Sequence, residues 1–435
     1  MSEKPRIALI PDNAWWVIGE MGKQIARRFA SKYDFYFLPF GVLARRPDFV
    51  KDLVATADVI HCMSDYEGIE LFCRFDRDKL PPIVTWCHHI TAWNPGQQLA
   101  VEMSSALIAC TPQWRDRINE RVASRIPITV VPHGVDTEFF CRQKVKAARF
   151  GIPSGRFVIG YLGKKGSDSD NGRKGTDVLL EVVRKAAAMI PNLHLVMCGP
   201  GWEKEAEDLK SLGVSVSATG YVRKSDLPAL YSALDVYLVT SRVEGGPCTI
   251  LEAMACETAV VSTRVGAVPQ WVVDGVNGYS ADTGDSEGLL AAIVALHRSP
   301  EHKTAIAREG RSTAAAHSWG KTLSPLEGVF DALIEQRRAA RPPAPRPRWM
   351  NNPDRLLRAG CAADALLTVY SRIRKRSLKV TKGIGILRAL LNGLSIADIV
   401  IGAALLRRYK SPTQQRSMLE NRNIRRCASN GFHRD

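Results

Sequence analysis

The sequence lacks a long apolar run near its start, a C-x-x-C pair and a complete phosphate-loop signature, and each absence narrows the reading. The first apolar stretch, Ile7 to Ile10, has four residues, too few for the hydrophobic region of a secretory signal, so a cytoplasmic location is expected. Ten cysteines are scattered from Cys62 to Cys427 without C-x-x-C spacing. That pattern argues against a zinc knot or a disulfide framework and suits a reducing compartment. The glycine-rich stretch GKKGSDSDNGRKGT (163–176) lacks the G-K-[ST] ending of a phosphate loop, and an EF-hand reading of its DSDNG fails because the glycine comes one residue early.

What is present is ample apolar content and an uneven charge. The 435 residues are 45% hydrophobic and 24% charged, enough for two globular cores. The net charge of +16 is concentrated at the end: residues 341–435 carry 20 of the 60 Lys and Arg but 5 of the 44 Asp and Glu. The preceding 340 residues are almost neutral, with 40 basic against 39 acidic side chains.

That neutral part has an α/β rhythm. Continuous apolar runs recur at RIALI (6–10), FYFL (35–38), DVIHC (58–62), PIVTWC (82–87), ALIAC (106–110) and ITVV (128–131). They return at RFVIGYLG (156–163), LHLVMCG (193–199), VSVSATG (214–220), VYLVTS (236–241) and AVVST (259–263). Unbroken apolarity is what a parallel strand covered on both faces requires. Helix-patterned segments such as TDVLLEVVRKAAAMI (176–190) and SDLPALYSALD (225–235) lie between them. The expected fold class is α/β, with two doubly wound, Rossmann-like domains at 1–145 and 146–340. A Pro-rich linker at 341–353 and a basic helical or disordered extension at 354–435 would follow. In such sheets ligands sit beyond the carboxyl ends of the strands, so a shared site is expected in a cleft between the domains.

One post-strand segment stands out, RVEGGPCTILEAMAC (242–256), in which Glu244 and Glu252 bracket a Gly-Gly-Pro turn. Pro247 suits a first helical turn, where its missing N–H costs nothing. Gly245 and Gly246 permit close backbone approach by a ligand, and the following helix amino terminus suits a phosphate. Helical spacing puts Cys248, Glu252 and Cys256 on one face, where the Glu252 carboxylate can accept two hydrogen bonds from the vicinal hydroxyls of a ribose.

Glu244-Gly-Gly-Pro-Cys-Thr-Ile-Leu-Glu252-Ala-Met-Ala resembles the E-x7-E signature of family 4 glycosyltransferases, the retaining "group 1" enzymes of the GT-B fold. The resemblance continues in order through VPHGVDTEFF (131–140), LVMCGPGWEKE (195–205), ATGYVRKSDLPALYSALDVYLVTSRVEGGP (218–247), VGAVPQWVVDGVNGYS (265–280) and HSWGKTLSPLEGVFDALI (317–334). It implies a carboxy-terminal domain that binds a nucleotide-sugar donor and a more variable amino-terminal domain that handles a glycan or lipid-linked acceptor, as in polysaccharide biosynthesis. By the same resemblance Glu252 holds the ribose, while Glu244 and the Gly245–Gly246 backbone, with Pro247 and Cys248 opening the helix, meet the donor. Lys174, before Gly175, and Lys164, where the family has Arg, meet the diphosphate; Arg173 is the alternative to Lys164. Lysine keeps the charge but loses the bidentate fork. His88, in TWCHHI, falls where the family carries a histidine facing the donor sugar, with His89 at a position that is usually acidic. Tyr221, Val222 and Arg223 approach the base, and Gly19 approaches the donor from the first domain.

The family's mechanism implies retained anomeric configuration, with the leaving phosphate taking the acceptor's proton and no metal or cofactor required. Asp168-Ser169-Asp170 and Asp76-Arg77-Asp78 spell the metal-binding D-x-D of another glycosyltransferase fold, but neither has that fold around it. Departures from the family are Glu257 for the glycine that closes the helix, Ala259 for a proline and Gln270 for an acid. Three alternatives remain open at this point: a nucleotide-sugar 2-epimerase, a glycosidase using Glu244 and Glu252, and a membrane-docked scaffold without catalysis. In the tail, SRIRKRSLKVTK (371–382) and GILRALLNGLSIADIVIGAALL (385–406), followed by Arg407, Arg408 and Lys410, suit a peripheral contact with an anionic membrane surface. Arg388 and Asp398 break the apolar run below a membrane span. No nucleic-acid module or aromatic interleaving is present, so nucleic acid is not an expected partner.

Overall fold

The computed structural model describes residues 3–64, 71–72, 75–88, 95–122, 126–165, 171–340 and 343–344. His89, the Asp168–Asp170 triplet and the basic tail lie outside the described residues. The chain divides into two compact units, one made of Met1–Ala109, Arg117–Thr129 and the segment from Pro325, the other of Cys110–Asp116 and Val130–Ser324.

The first unit holds a six-stranded parallel sheet: β1 (Arg6–Ile10), β2 (Asp34–Phe37), β3 (Val59–Cys62), β4 (Ile83–Cys87), β5 (Ala106–Ala109) and β6 (Ile128–Val130). Its order, β2-β1-β3-β4-β5-β6, places the first strand beside both the second and the third, as a doubly wound sheet requires. Four of its strands, β1, β3, β4 and β5, are buried at every residue, which accounts for their unbroken apolar sequences. The late helix Ser324–Ala340 packs in this unit, with Phe330 fully buried and edge-on to the rings of Phe29, Tyr33 and Phe35.

The second unit repeats the architecture with β7 (Phe157–Leu162), β8 (Leu193–Cys198), β9 (Val216–Gly220), β10 (Val236–Val239), β11 (Ala259–Thr263) and β12 (Tyr279–Ala281), in the order β12-β11-β10-β7-β8-β9. The fold is therefore the expected α/β pair of Rossmann-like sheets, GT-B in architecture. Eleven strands coincide with the apolar runs of the sequence to within two residues at either end. The twelfth, β12, has three residues, two of them half-buried, and too little apolar sequence to be read in advance. The helix Thr176–Met189 buries Val178, Leu179, Val182, Val183 and Ala186, one stripe at helical spacing, against the sheet core. Among the described residues no helix is long and apolar enough to cross a membrane.

Candidate active site

The segment after β10 forms a turn whose shape is enforced by its neighbours. Thr240 to Gly246 lead into the eight-residue helix Cys248–Ala255, with Pro247 at the N-cap, one position before the first helical residue. Gly266 has φ +52°, and a Cβ there would lie 2.0 Å from the Gly245 carbonyl oxygen and 2.6 Å from that of Glu244. Only glycine admits so close a passage of two backbones. Ala267 N–H donates to the Gly245 carbonyl at 2.9 Å. On the other side His133, buried, donates from Nδ1 to the Gly246 carbonyl at 2.6 Å, and a Cβ on Gly246 would press on that same nitrogen at 2.9 Å. The Gly245–Gly246 turn is thus held by segments more than twenty and more than one hundred residues away in sequence.

A second segment is fastened to the same strand end. Gly175, with φ +62°, caps the helix Thr176–Met189, and a Cβ there would fall 1.9 Å from the Thr240 carbonyl oxygen. Thr240 Oγ1 donates to the carbonyls of Lys174 (3.1 Å) and Gly175 (2.9 Å), and Arg242 N–H donates to the Arg173 carbonyl at 2.7 Å. The Arg242 guanidinium binds both oxygens of Asp177, at 2.8 and 2.6 Å, and the Gly172 carbonyl at 3.0 Å.

This fastening brings opposite charges together. Lys174 Nζ donates to Glu244 Oε1 at 2.6 Å, Ser241 Oγ donates to the same oxygen at 2.9 Å, and Arg173 stands 3.7 Å from it. Burial pushes the Glu244 carboxyl up, but the Lys174 ammonium foremost, then Arg173 and the Ser241 hydroxyl, hold it below the usual range. Glu244 is therefore an ionised, largely buried carboxylate among cations. On the helix, Glu252 Oε2 accepts from the Tyr231 hydroxyl at 2.7 Å. Tyr231 is fully buried, and burial first, then the Glu252 charge, drives its phenol well above its ordinary range, so it stays a donor. Cys248 and Cys256, expected on the same helix face, are both buried, and burial pushes each thiol up. Neither thiol is a nucleophile in this setting.

The remaining sequence-derived residues are distributed more widely. Lys164 lies after β7, exposed and without a side-chain partner among the described residues; its turn packs on Gly199, whose Cβ would come 2.3 Å from the Gly163 carbonyl oxygen. Tyr221, Val222 and Arg223, after β9, line a cavity of about 320 Å³ with Arg149, Phe150, Thr219 and Asp226. Tyr221 is 62% exposed there, and Asp226 pairs with Arg149 and, at 2.9 Å, with Arg223. In the first unit His88 follows β4, buried, donating from Nε2 to the Met63 carbonyl at 2.7 Å and stacking on Trp86 at 5.3 Å. Gly19 is buried in the helix Val17–Phe29, where a Cβ would lie 2.3 Å from the Asn13 carbonyl oxygen, so helix–loop packing accounts for the glycine. Among the described residues no group of three or more His, Cys, Asp or Glu is placed to hold a metal ion.

Sequence reasoning missed Ser241, Tyr231, His133 and Gly266. Gly266 and His133 stood inside quoted segments, and a glycine before Ala-Val-Pro was a usable signal for close backbone approach. Tyr231 carried none, because its contact with Glu252 joins two different helices.

Residues 146–313 match the family described as "Glycosyl transferases group 1". Among curated proteins the chain is 30% identical over 267 residues to D-inositol 3-phosphate glycosyltransferase of Mycolicibacterium smegmatis, covering 58% of each chain. It is also 30% identical over 278 residues to the protein of the same name from Kineococcus radiotolerans, covering 58% of this chain and 62% of that one. The chain thus spans about three fifths of the length of these relatives. Solved structures share the fold. The sucrose-phosphate synthase of Thermosynechococcus elongatus has a TM-score of 0.61 at 18% identity over 77% of this chain and 100% of that one. HepE of Anabaena, solved with UDP-glucose, has a TM-score of 0.62 at 17% identity over 75% of this chain and 99% of that one.

Proposed function

We propose that the chain is a retaining family 4 glycosyltransferase that moves a sugar from a nucleotide-sugar donor to a glycan or lipid-linked acceptor without a metal. The observation that carries the reading is the fastening of Lys174 and Arg173 beside Glu244 at the turn that opens the helix Cys248–Ala255, with Glu252 one helical turn on. Two cations and a helix amino terminus are what a departing diphosphate needs, since negative charge grows on it as the glycosidic bond breaks. Lys164 adds a third cation to this proposed group. Glu252, held by Tyr231, takes the ribose, and Glu244 with the Gly245–Gly246 backbone takes the donor sugar. The base lies along Tyr221, Val222 and Arg223, whose exposed tyrosine ring offers a stacking surface. The acceptor hydroxyl then attacks the face that the diphosphate leaves, a phosphate oxygen takes its proton, and configuration is retained. The family resemblance assigns His88 to the donor sugar, and the basic tail is assigned to an anionic membrane surface at the cytoplasmic face. The commitment of Glu244 to Lys174 favours transfer over a glycosidase, whose acid and nucleophile must face each other across a scissile bond.

Calorimetric titration with UDP-, GDP-, ADP- and CDP-sugars tests the donor assignment. One nucleotide class should bind at micromolar strength, equally with and without EDTA, and at least about tenfold more weakly in Glu252→Ala, the loss of a charge-assisted bond. Binding of none of the four overturns the reading. Transfer to a glycan acceptor, followed by proton NMR of the new linkage, then decides the anomeric outcome.

A further inference from the structure

One carboxylate oxygen in the second unit serves three partners. Glu244 Oε1 accepts from Lys174 at 2.6 Å and from Ser241 at 2.9 Å, and faces Arg173 at 3.7 Å. The Glu244 side chain is 13% exposed, less than Lys174 at 27% or Arg173 at 23%. The cations are more accessible than the carboxylate they hold. These are the cations assigned above to the donor's diphosphate. A diphosphate cannot engage both fully while the carboxylate keeps them, because like charges brought together in a poorly solvated turn repel strongly.

We infer that Glu244 competes with the diphosphate for Lys174 and Arg173 and thereby makes the site prefer a nucleotide sugar over the free nucleoside diphosphate. The inference rests on the donor-site reading and adds a role within it. When a nucleoside diphosphate binds alone, the two cations turn toward phosphate oxygens and leave a largely buried carboxylate without its counter-charge, which is costly. When a sugar is attached, its hydroxyls donate charge-assisted hydrogen bonds to that carboxylate and replace what the cations gave up. The penalty therefore falls on the product and is relieved for the substrate. Such a difference favours release of the diphosphate product after transfer, because only interactions that differ between bound states shift their relative populations. Ser241, 3% exposed two residues after β10, holds the carboxylate close enough to serve in either state.

The test is calorimetry on the full chain, with UDP, GDP, ADP, CDP and inorganic diphosphate as sugar-free probes, and UDP-glucose, GDP-mannose, ADP-glucose and CDP-glucose as donors. Wild type, Glu244→Gln and Ser241→Ala are compared, each with a thermal melt. Glu244→Gln should bind the matching nucleoside diphosphate and inorganic diphosphate about tenfold more tightly, within the usual range of site-to-site coupling. It should gain nothing for the nucleotide sugar, so the ratio between donor and product affinity collapses. Ser241→Ala should shift the ratio the same way by a smaller factor with the carboxylate retained. A Glu244→Gln protein that melts cooperatively but binds the sugar-free probes no better than wild type overturns the inference and leaves the donor site standing. Should that variant not fold, Ser241→Ala decides, and an unchanged ratio is the overturning result. If wild type binds none of the nucleotides, the donor-site reading falls and the inference falls with it.

Discussion

Glu257 is the one non-glycine residue with positive φ among the described residues, at +54°, directly after the Cys256 C-cap of the helix Cys248–Ala255. Its sequence position already marked it, as a glutamate where a helix-closing glycine was expected. The left-handed conformation costs an L-residue about 1–2 kcal/mol, part of which glycine returns through its freer unfolded chain. The backbone contacts at this site, Glu257 N–H to the Met254 carbonyl and the Glu257 carbonyl to Arg142, do not need the side chain. Glu257→Gly is therefore expected to stabilise the second unit by about 0.5–1 kcal/mol, seen as a raised denaturation midpoint with donor binding unchanged. His61 offers a pH test. It is fully buried on β3, stacked on Trp86 and edge-on to Phe330, with neither ring nitrogen hydrogen-bonded, and burial pushes its pKa down to about 3. The unfolded chain takes up a proton near pH 6.5 that the folded chain refuses until about pH 3. Its contribution is thus complete above pH 6.5 and declines as pH falls, by about 1.4 kcal/mol per unit. His61→Leu should keep more stability than wild type between pH 7 and pH 5, by about 2 kcal/mol, in paired denaturant titrations. Equal acid losses in the two proteins would refute this account.

At the scale of elements, the candidate site is an arrangement of loops clipped to one strand end. Gly175 and Gly266 clip through backbone that a larger residue would displace, and Thr240 through its hydroxyl. Gly175→Ala combines a positive φ with a Cβ 1.9 Å from the Thr240 carbonyl oxygen, so about 2–4 kcal/mol of stability should be lost. Lys174, the adjacent residue, should move with it, and nucleotide binding should weaken more than it does in an equally destabilising core variant such as Leu179→Ala. Equal weakening in the two would mean that the clip carries stability alone. The elements were largely legible in the sequence because strands buried on both faces must be apolar throughout, as RIALI and AVVST are. The turn was legible for a similar reason, since Gly245 and Gly246 announce close backbone approach. The partners that shape it were not. Tyr231 reaches Glu252 through a tertiary contact that no local period encodes, and Ser241, three residues before Glu244, meets it through the shape of the turn rather than through a helical or strand period. The helix Ser324–Ala340 shows the same limit: its stripe of Leu326, Phe330, Leu333 and Ile334 declares a buried face but does not say which sheet it covers.

For the whole molecule, the open question is what the basic tail does, and the described residues show where it begins. Ala344 is tied to the first unit, its N–H donating to the Ala55 carbonyl at 2.8 Å and its carbonyl accepting from Arg6 at 2.7 Å. Arg6 opens β1, and Asp58, which accepts from the Arg6 N–H at 2.8 Å and from Arg338 at 2.9 Å, immediately precedes β3. Ala344 therefore sits at the amino ends of the first unit's strands. His88 follows the carboxyl end of β4, at the opposite edge of the same parallel sheet. A tail that starts there can engage a surface without covering that edge. Residues 345–435 hold 19 Lys and Arg against 5 Asp and Glu. Near an anionic surface each basic side chain adds about 1 kcal/mol, screened within a Debye length of about 8–10 Å at 0.1–0.15 M salt. The full chain should therefore sediment with phosphatidylserine-containing vesicles at low salt, not with phosphatidylcholine vesicles, and be released by about 0.5 M salt. A chain ending at Ala344 should lose vesicle binding and keep nucleotide affinity within about twofold, since the proposed donor groups all lie before that residue. If the shortened chain still sediments, the body makes the contact and the tail assignment fails. If neither chain sediments, the charge serves another partner, and the membrane reading fails with it.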